Sequence, residues 1–359
     1  MTSSFFTQIG SDIFGDAPGD NFGFTGISLS KDGTILAVGA QGNDDNGIDS
    51  GHVRIFKNIN NTWTQIGSDI VGEYAYDQSG VSVDLSDDGK IVAIGAWHND
   101  NSQSTLAGYD RAKYPNGHVR IYENIADSWV QVGLDIDGDN LDEWSGRSVS
   151  LSSDGSTVGI GGQYSYKNRV YKNIGNNWTR VGDEIPERSG SSGATSLSSD
   201  GSIFVIADDN GNGGGGNGKV SIYENKTGNW AQIGSSIFRG NSNENLLGHS
   251  IHLSANGSIL AIGIPYTINN TGGLVKVYEL TSNNWVQIGG NISEGNAPNE
   301  FGMGLSLSQD GSILAIGSPS ESQNNVYGGS VRIYQNINNT YVQVGNIING
   351  DSTMTNIGY

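Results

Sequence analysis

The chain reads as all-β. Three observations carry this: a repeat that runs from end to end, short apolar runs bounded by Asp-Gly and Asn-rich turns, and no window with helical spacing and a cap. Composition agrees. Of 359 residues 55 are Gly, roughly twice the usual share of about 7%, and each interior Gly costs a helix about 1 kcal/mol relative to Ala. No Gly-X-Y period exists and only 6 residues are Pro, so the chain is not collagen-like.

The first repeated run, strand A, leads through a Ser-x-Asp-Gly turn into the second, strand B. The pair reads SLSKDGTILAVG at 28–39, DLSDDGKIVAIG at 84–95, SLSSDGSTVGIG at 150–161, SLSSDGSIFVIA at 196–207, HLSANGSILAIG at 252–263 and SLSQDGSILAIG at 306–317. Strand B is nearly continuous apolar, as expected of a strand buried on both faces. Strand C follows as GHVRIFKN at 51–58, GHVRIYEN at 117–124 and RVYKN at 169–173, with KVSIYEN, VKVYEL and VRIYQN in the later copies. Strand D is an aromatic residue followed by x-Gln/Arg-Val/Ile-Gly, led by Trp63, Trp129, Trp178, Trp230, Trp285 and Tyr341, with a seventh copy at Phe6. Successive leads lie 57, 66, 49, 52, 55 and 56 residues apart. The recurring Trp offers a large apolar body to fill the gap between neighbouring units.

Four antiparallel strands repeated six times describe a β-propeller of six four-stranded blades in a single domain, 1–359. The blades fall at about 24–67, 80–133, 146–182, 193–234, 248–289 and 302–345, and an N-terminal strand at 5–10 is expected to close the ring. A seventh blade would need strands beyond Tyr359.

Phe301-Gly302 ahead of strand A and the run LAIGSP at 314–319 resemble the FG-GAP repeat of integrin α-chain propellers. Phe22-Gly23 and the variants LAVGAQ, VAIGAW and LAIGIP fit the same frame, so the resemblance covers nearly the whole chain. It implies a propeller for adhesion or ligand binding, extracellular or at a cell surface, without chemistry of its own. Calcium-binding members of that family carry Asp-x-Asp/Asn-x-Asp-Gly between strands A and B. Here Asp32, Asp88, Asp154, Asp200 and Asp310 match only the last Asp, and Asn256 takes its place in blade five. One carboxylate per loop suits a turn rather than a hard cation.

In a meander, the A–B and C–D turns share one face, and the B–C and D–A connections share the other. The first face is short and uniform. The second holds length and variety, where binding usually sits on a rigid scaffold. Its candidate ligand-binding residues are Trp97, Tyr109, Tyr114, Trp144, Tyr164, Tyr166, Tyr266 and Tyr327, aromatics suited to stacking on a sugar or anchoring a protein. The D–A links also pair carboxylates four apart: Asp16 with Asp20, Glu73 with Asp77 and Asp139 with Glu143. These are candidates for weak calcium binding, set against a role as turn caps. No cofactor is expected to be required.

An excess of 37 acidic over 18 basic residues, net −19, excludes a nucleic-acid partner. Zero Cys excludes disulfides and thiolate chemistry, and no apolar run approaches a membrane span. The opening segment MTSSFFTQIGSDIFG has neither a basic start nor an apolar core, so no signal peptide is expected there. The cations Arg54, Arg120, Arg169, Lys276 and Arg332 share one position in strand C, which points to structural ion pairs; His52 and His118 are likewise repeat-equivalent. The expected function is therefore non-enzymatic recognition or adhesion, binding a glycan or protein through the loop-rich face. The alternative is a self-assembling structural subunit of a surface, appendage or virion; a glycosidase-type propeller ranks below both.

Overall fold

The computed structural model describes residues 6–100, 115–163, 167–187, 190, 192–209, 218–240, 244–267, 272–294, 299–323 and 326–350. The fold is all-β, a six-bladed β-propeller of four-stranded antiparallel sheets, with no helix among the described residues. The chain divides into two compact units, residues 8–189 with 227–230, and residues 1–7, 190–226 and 231–359.

In the first unit, blade one runs Phe22–Leu29, Ile35–Ala40, His52–Ile59 and Thr62–Gln65. Blade two runs Ser82–Leu85, Ile91–Ala96, His118–Ile125 and Ser128–Gln131, and blade three Thr157–Gly161 between Ser148–Leu151 and Arg169–Asn173, with Trp178–Arg180 outermost. The fourth blade is Thr195–Leu197, Ile203–Asp208, Lys219–Lys226 and Asn229–Gln232. In the second unit, blades five and six run Ile251–Leu253, Ile259–Ile264, Leu274–Thr281, Asn284–Ser293 and then Leu305–Leu307, Ile313–Ser318, Ser330–Ile337, Thr340–Asn349. The long last strands of blades five and six pass a register shift and go on pairing with the start of strand C. In blades one and two the same ladder breaks, and the short pieces Ile70–Val71 and Ile136–Asp137 take over that pairing.

Apolar residues of strands B and C face the neighbouring blade. One buried cluster joins Val53, Ile55 and Ile66 of blade one to Val83, Val92 and Ile94 of blade two; another joins Val119 and Ile121 to Val158 and Ile160. The second unit repeats this between blades four and five and between five and six. The recurrent Trp reaches back one repeat: Trp129 Nε1 donates to the Ile66 carbonyl at 3.1 Å and Trp178 Nε1 to that of Val132 at 2.8 Å. Trp63 Nε1 donates likewise to Ile9 at 3.1 Å. The segment from Phe6 thus supplies the partner that a preceding strand D would, although residues 6–10 form no strand.

The A–B turns are self-contained. Asp32 Oδ1 accepts from Ser30 Oγ, Thr34 N and Thr34 Oγ1; Asp154, Asp200, Asn256 and Asp310 repeat the arrangement, and Asp88 repeats its first two bonds. Backbone bonds tie adjacent turns together, Lys31 N to Asp87 O at 3.0 Å and Asp87 N to Ser153 O at 2.8 Å.

Asp84 stands in strand A where the other blades carry Ser or His. Its carboxylate accepts from Ser28 Oγ of blade one at 3.0 Å, from Leu85 N at 3.0 Å, and from Leu151 N of blade three at 2.7 Å. Burial pushes its carboxyl up to about 6, against the pull of those three hydrogen bonds. An unfolded Asp titrates near about 3.9, so between these values the folded chain holds a proton that the unfolded chain has released. Stability contributed by this group is therefore present at low pH and lost as pH rises from about 4 to about 6. Asp84→Ser removes the carboxyl, so the wild type should lose stability relative to this variant across that window. Thermal midpoints of the two proteins from pH 4 to 7 check the slope; a wild type that gains on the variant contradicts it.

Candidate functional site

The site is built from the connections that leave strands B and D. In several D–A links one acid turns back on its own backbone. Asp77 Oδ2 accepts from Tyr74 N at 2.8 Å and Glu143 Oε2 from Asp139 N at 2.8 Å, while Glu244 Oε2 accepts from Gly240 N at 2.8 Å. Asn43 and Asn99, at the start of the B–C loops, donate to Asp20 and Asp77, both at 3.1 Å. Burial pushes Asp77 up to about 6. The residue two before the recurring Gly then adopts positive φ: Asn21 at 55°, Gln78 at 54°, Trp144 at 52°, Leu246 at 60° and Glu300 at 56°.

The paired carboxylates of the D–A links are divided among other partners. Asp16 pairs with Arg54 and Asp20 with Asn43. Glu73 faces Arg120, Nη1 to Oε1 at 3.9 Å, while Asp77 takes Asn99. Asp139 and Glu143 do converge, but on the buried Arg169, at 3.0 and 2.8 Å, and Glu184 adds a third carboxylate at 3.5 Å. In the second unit Lys276 meets Glu244 at 2.7 Å, and Arg332 meets Glu321 at 2.6 Å and Glu294 at 3.2 Å. The repeated strand-C cation thus anchors the acidic links in five of the six blades. Two groupings of donor atoms of a kind that hold metals lie nearby: Asp16, Asp45, His52 and Asp69 in blade one, and Glu73, His118 and Asp135 in blade two.

Of the loop aromatics, Trp97 and Trp144 meet. Trp97 lies in the B–C loop of blade two and Trp144 in the link from blade two to blade three, with ring centroids 5.2 Å apart at 61°. His98 stacks on Trp97 at 4.4 Å and 19° and meets Trp144 edge-on at 5.0 Å. The Arg147 guanidinium lies over the Trp97 ring, 4.9 Å from its centroid, a cation–π contact. Gln78 Oε1 accepts from Trp97 Nε1 at 2.7 Å, fixing the indole. All four rings and cations are half-buried. His98 Nε2 is buried without a hydrogen-bond partner among the described residues. Burial first, then the charge of Arg147, pushes His98 down to about 4, so it is neutral at pH 7. A neutral imidazole offers one donor and one acceptor.

Elsewhere on this type of loop, Tyr266 is partly exposed and donates to Glu300 at 2.5 Å, and Ser320 donates to the same carboxylate at 2.6 Å. Tyr327 lies in a short strand, Val326–Tyr327. Tyr109, Tyr114, Tyr164 and Tyr166 lie outside the described residues. His98, Arg147 and Gln78 were not among the expected site residues. Their signal was adjacency, since His98 follows Trp97 and Arg147 stands three residues after Trp144.

No family model matches the chain, and no curated protein does. Solved structures do. The chain is similar to Kuenenia stuttgartiensis hydrazine synthase, with TM-score 0.59 and 14% identity over 92% of this chain and 80% of that one. It is similar to the Pseudomonas aeruginosa periplasmic gluconolactonase PpgL, with TM-score 0.56 and 16% identity over 92% and 86%. It is also similar to the β-propeller domain of Myceliophteria thermophila Cps50 (Swd1), with TM-score 0.55 and 9% identity over 91% and 86%. At these identities the likeness shows the propeller fold alone. It also corrects one expectation, that the protein is not an enzyme. The fold is shared with propellers named as a gluconolactonase and a hydrazine synthase, so the propeller architecture gives no ground for setting catalysis aside.

Proposed function

We propose that the chain binds a sugar-like ligand, a hydroxylated ring carrying a carboxyl or lactone group, at Trp97, His98, Trp144 and Arg147. The observation that carries this reading is a half-buried pair of indoles flanking a neutral imidazole whose buried Nε2 has no partner among the described residues. Indole faces receive the C–H face of a sugar ring, while His98 and Gln78 supply hydrogen bonds and Arg147 a positive charge for the acid end. Trp144 holds φ of 52°, as Asn21, Gln78, Leu246 and Glu300 do at the equivalent positions, so the repeat fixes its backbone.

The second reading is turnover of a sugar lactone, favoured by the gluconolactonase among the structural neighbours. Here His98, neutral at pH 7, takes a proton from the attacking water, Arg147 stabilises the carbonyl oxygen as it gains charge, and the proton passes to the ring oxygen as the acyl C–O bond breaks. Calorimetric titration with gluconate, with its lactone and with neutral hexoses separates the cases. Gluconate is expected to bind the wild type and to bind Trp97→Ala about tenfold or more weakly. Lactone hydrolysis that falls far more in His98→Gln than gluconate affinity does supports turnover. If none of these ligands binds at millimolar concentration, the proposal fails.

A further inference from the structure

His118 is the first residue of strand C in blade two, and it is wholly buried. Neither ring nitrogen has a hydrogen-bond partner among the described residues. Leaving two polar atoms of a buried imidazole unmade is costly. Nδ1 nevertheless points between two carboxylates, 3.9 Å from Glu73 Oε2 and 3.8 Å from Asp135 Oδ2. These separations are too long for hydrogen bonds. They lie about half an ångström beyond the spacing of about 3.3 Å between neighbouring ligands of a tetrahedral ion with bonds of about 2.0–2.1 Å.

We propose that Glu73 Oε2, His118 Nδ1 and Asp135 Oδ2 form a site for a first-row divalent metal ion of the Zn²⁺ type. One imidazole with two carboxylates is a ligand set for such an ion, whereas calcium takes oxygen ligands throughout. The charge balance favours a cation. The negative charges of Asp135 and Asp137 both act on Glu73, and Arg120, 3.9 Å from the other Glu73 oxygen, supplies one positive charge against the three. Asp135 is already oriented, because Gln131 Nε2 donates to its Oδ1 at 2.6 Å and leaves Oδ2 toward His118. The Glu73 and Asp135 side chains are 33% and 27% exposed, so an ion has a route from solvent and water can complete the shell.

Blade one shows the same framework closed by protein groups. His52 Nδ1 contacts Asp45 Oδ2 at 3.4 Å, and Arg54 Nε donates to Asp69 Oδ2 at 3.2 Å, while Asp16 also pairs with Arg54. In blade two the equivalent Arg120 instead donates to the Val71 carbonyl at 2.7 Å, which leaves Asp135 free of it. Zinc is therefore assigned to blade two alone.

The full chain is stripped with chelator and titrated with Zn²⁺ by calorimetry, and with Co²⁺ by visible absorption, which reports a nitrogen–oxygen shell. One equivalent is expected to bind and raise the melting temperature. Asp135→Asn and Glu73→Gln should each weaken binding about tenfold or more, while Asp45→Asn leaves it unchanged. His118→Gln should abolish binding; if it does not fold, the two carboxylate variants decide, each checked by its metal-free melting temperature. No binding at millimolar Zn²⁺, unchanged affinity in both carboxylate variants, or loss in Asp45→Asn would each overturn the assignment.

Discussion

Gly95→Val is expected to destabilise the first unit by about 3 kcal/mol or more. Gly95 is the penultimate residue of strand B of blade two, at a point where the backbone leading into the next blade passes directly over it. A Cβ placed there would overlap the Gly146 carbonyl oxygen and also meet Ser82 Oγ, which itself donates to that carbonyl at 2.8 Å. The nearest obstacle is backbone, so no flexible side chain can give way. Gly39 meets the Gly80 carbonyl in the same manner, and Gly263 the Gly302 carbonyl. The contact is thus a property of the repeat. Inserting volume at such a point costs typically about 1–3 kcal/mol, and here the blade itself must move, which places the variant at or beyond the top of that range. Thermal unfolding followed by circular dichroism measures it. A midpoint within a few degrees of the wild type would mean that the blades slide past one another freely.

The second large effect is expected at Arg169. Arg169→Met removes a guanidinium that is 2% exposed and holds Glu143, 6% exposed, together with Asp139 and Glu184. Taking one partner from a buried pair leaves the other charge uncompensated, at about 3–5 kcal/mol. Arg180→Met is the matched control. Arg180 donates to the same Asp139 at 2.8 Å, but it is one-third exposed, where an ion pair contributes about 0–1 kcal/mol. Denaturant midpoints of both variants give the comparison. Equal losses would show that burial does not distinguish the two arginines.

The repeat made the architecture legible. Trp63, Trp129, Trp178 and the Asp-Gly turns recur at blade spacing, and a pattern repeated six times is stronger than any single strand signal. The shared strand-C position of Arg54, Arg120 and Arg169 likewise pointed to ion pairing, and the structure supplies the acids. Which acids was not legible. Asp139 and Glu143 stand four apart in the sequence, yet what decides their role is Arg169, 26 residues beyond Glu143 and brought in by strand C. The Trp97–Trp144 contact lay hidden for a similar reason, since it depends on how one B–C loop meets the following D–A link. The left-handed conformation of Trp144 is shared with Asn21, Gln78, Leu246 and Glu300 two residues before the recurring Gly, but the residue type itself gives no sign of it.

The central claim is that the end of the first unit carrying the B–C and D–A connections holds the ligand at Trp97 and Trp144. A crystal structure of the chain soaked with gluconate tests it most directly. The account predicts a ring in van der Waals contact with one or both indoles, its carboxylate toward Arg147 and an oxygen on His98 Nε2. A ligand seated instead against the Asp-Gly turns of the opposite face, or an indole pair left uncovered at saturating ligand, would contradict it.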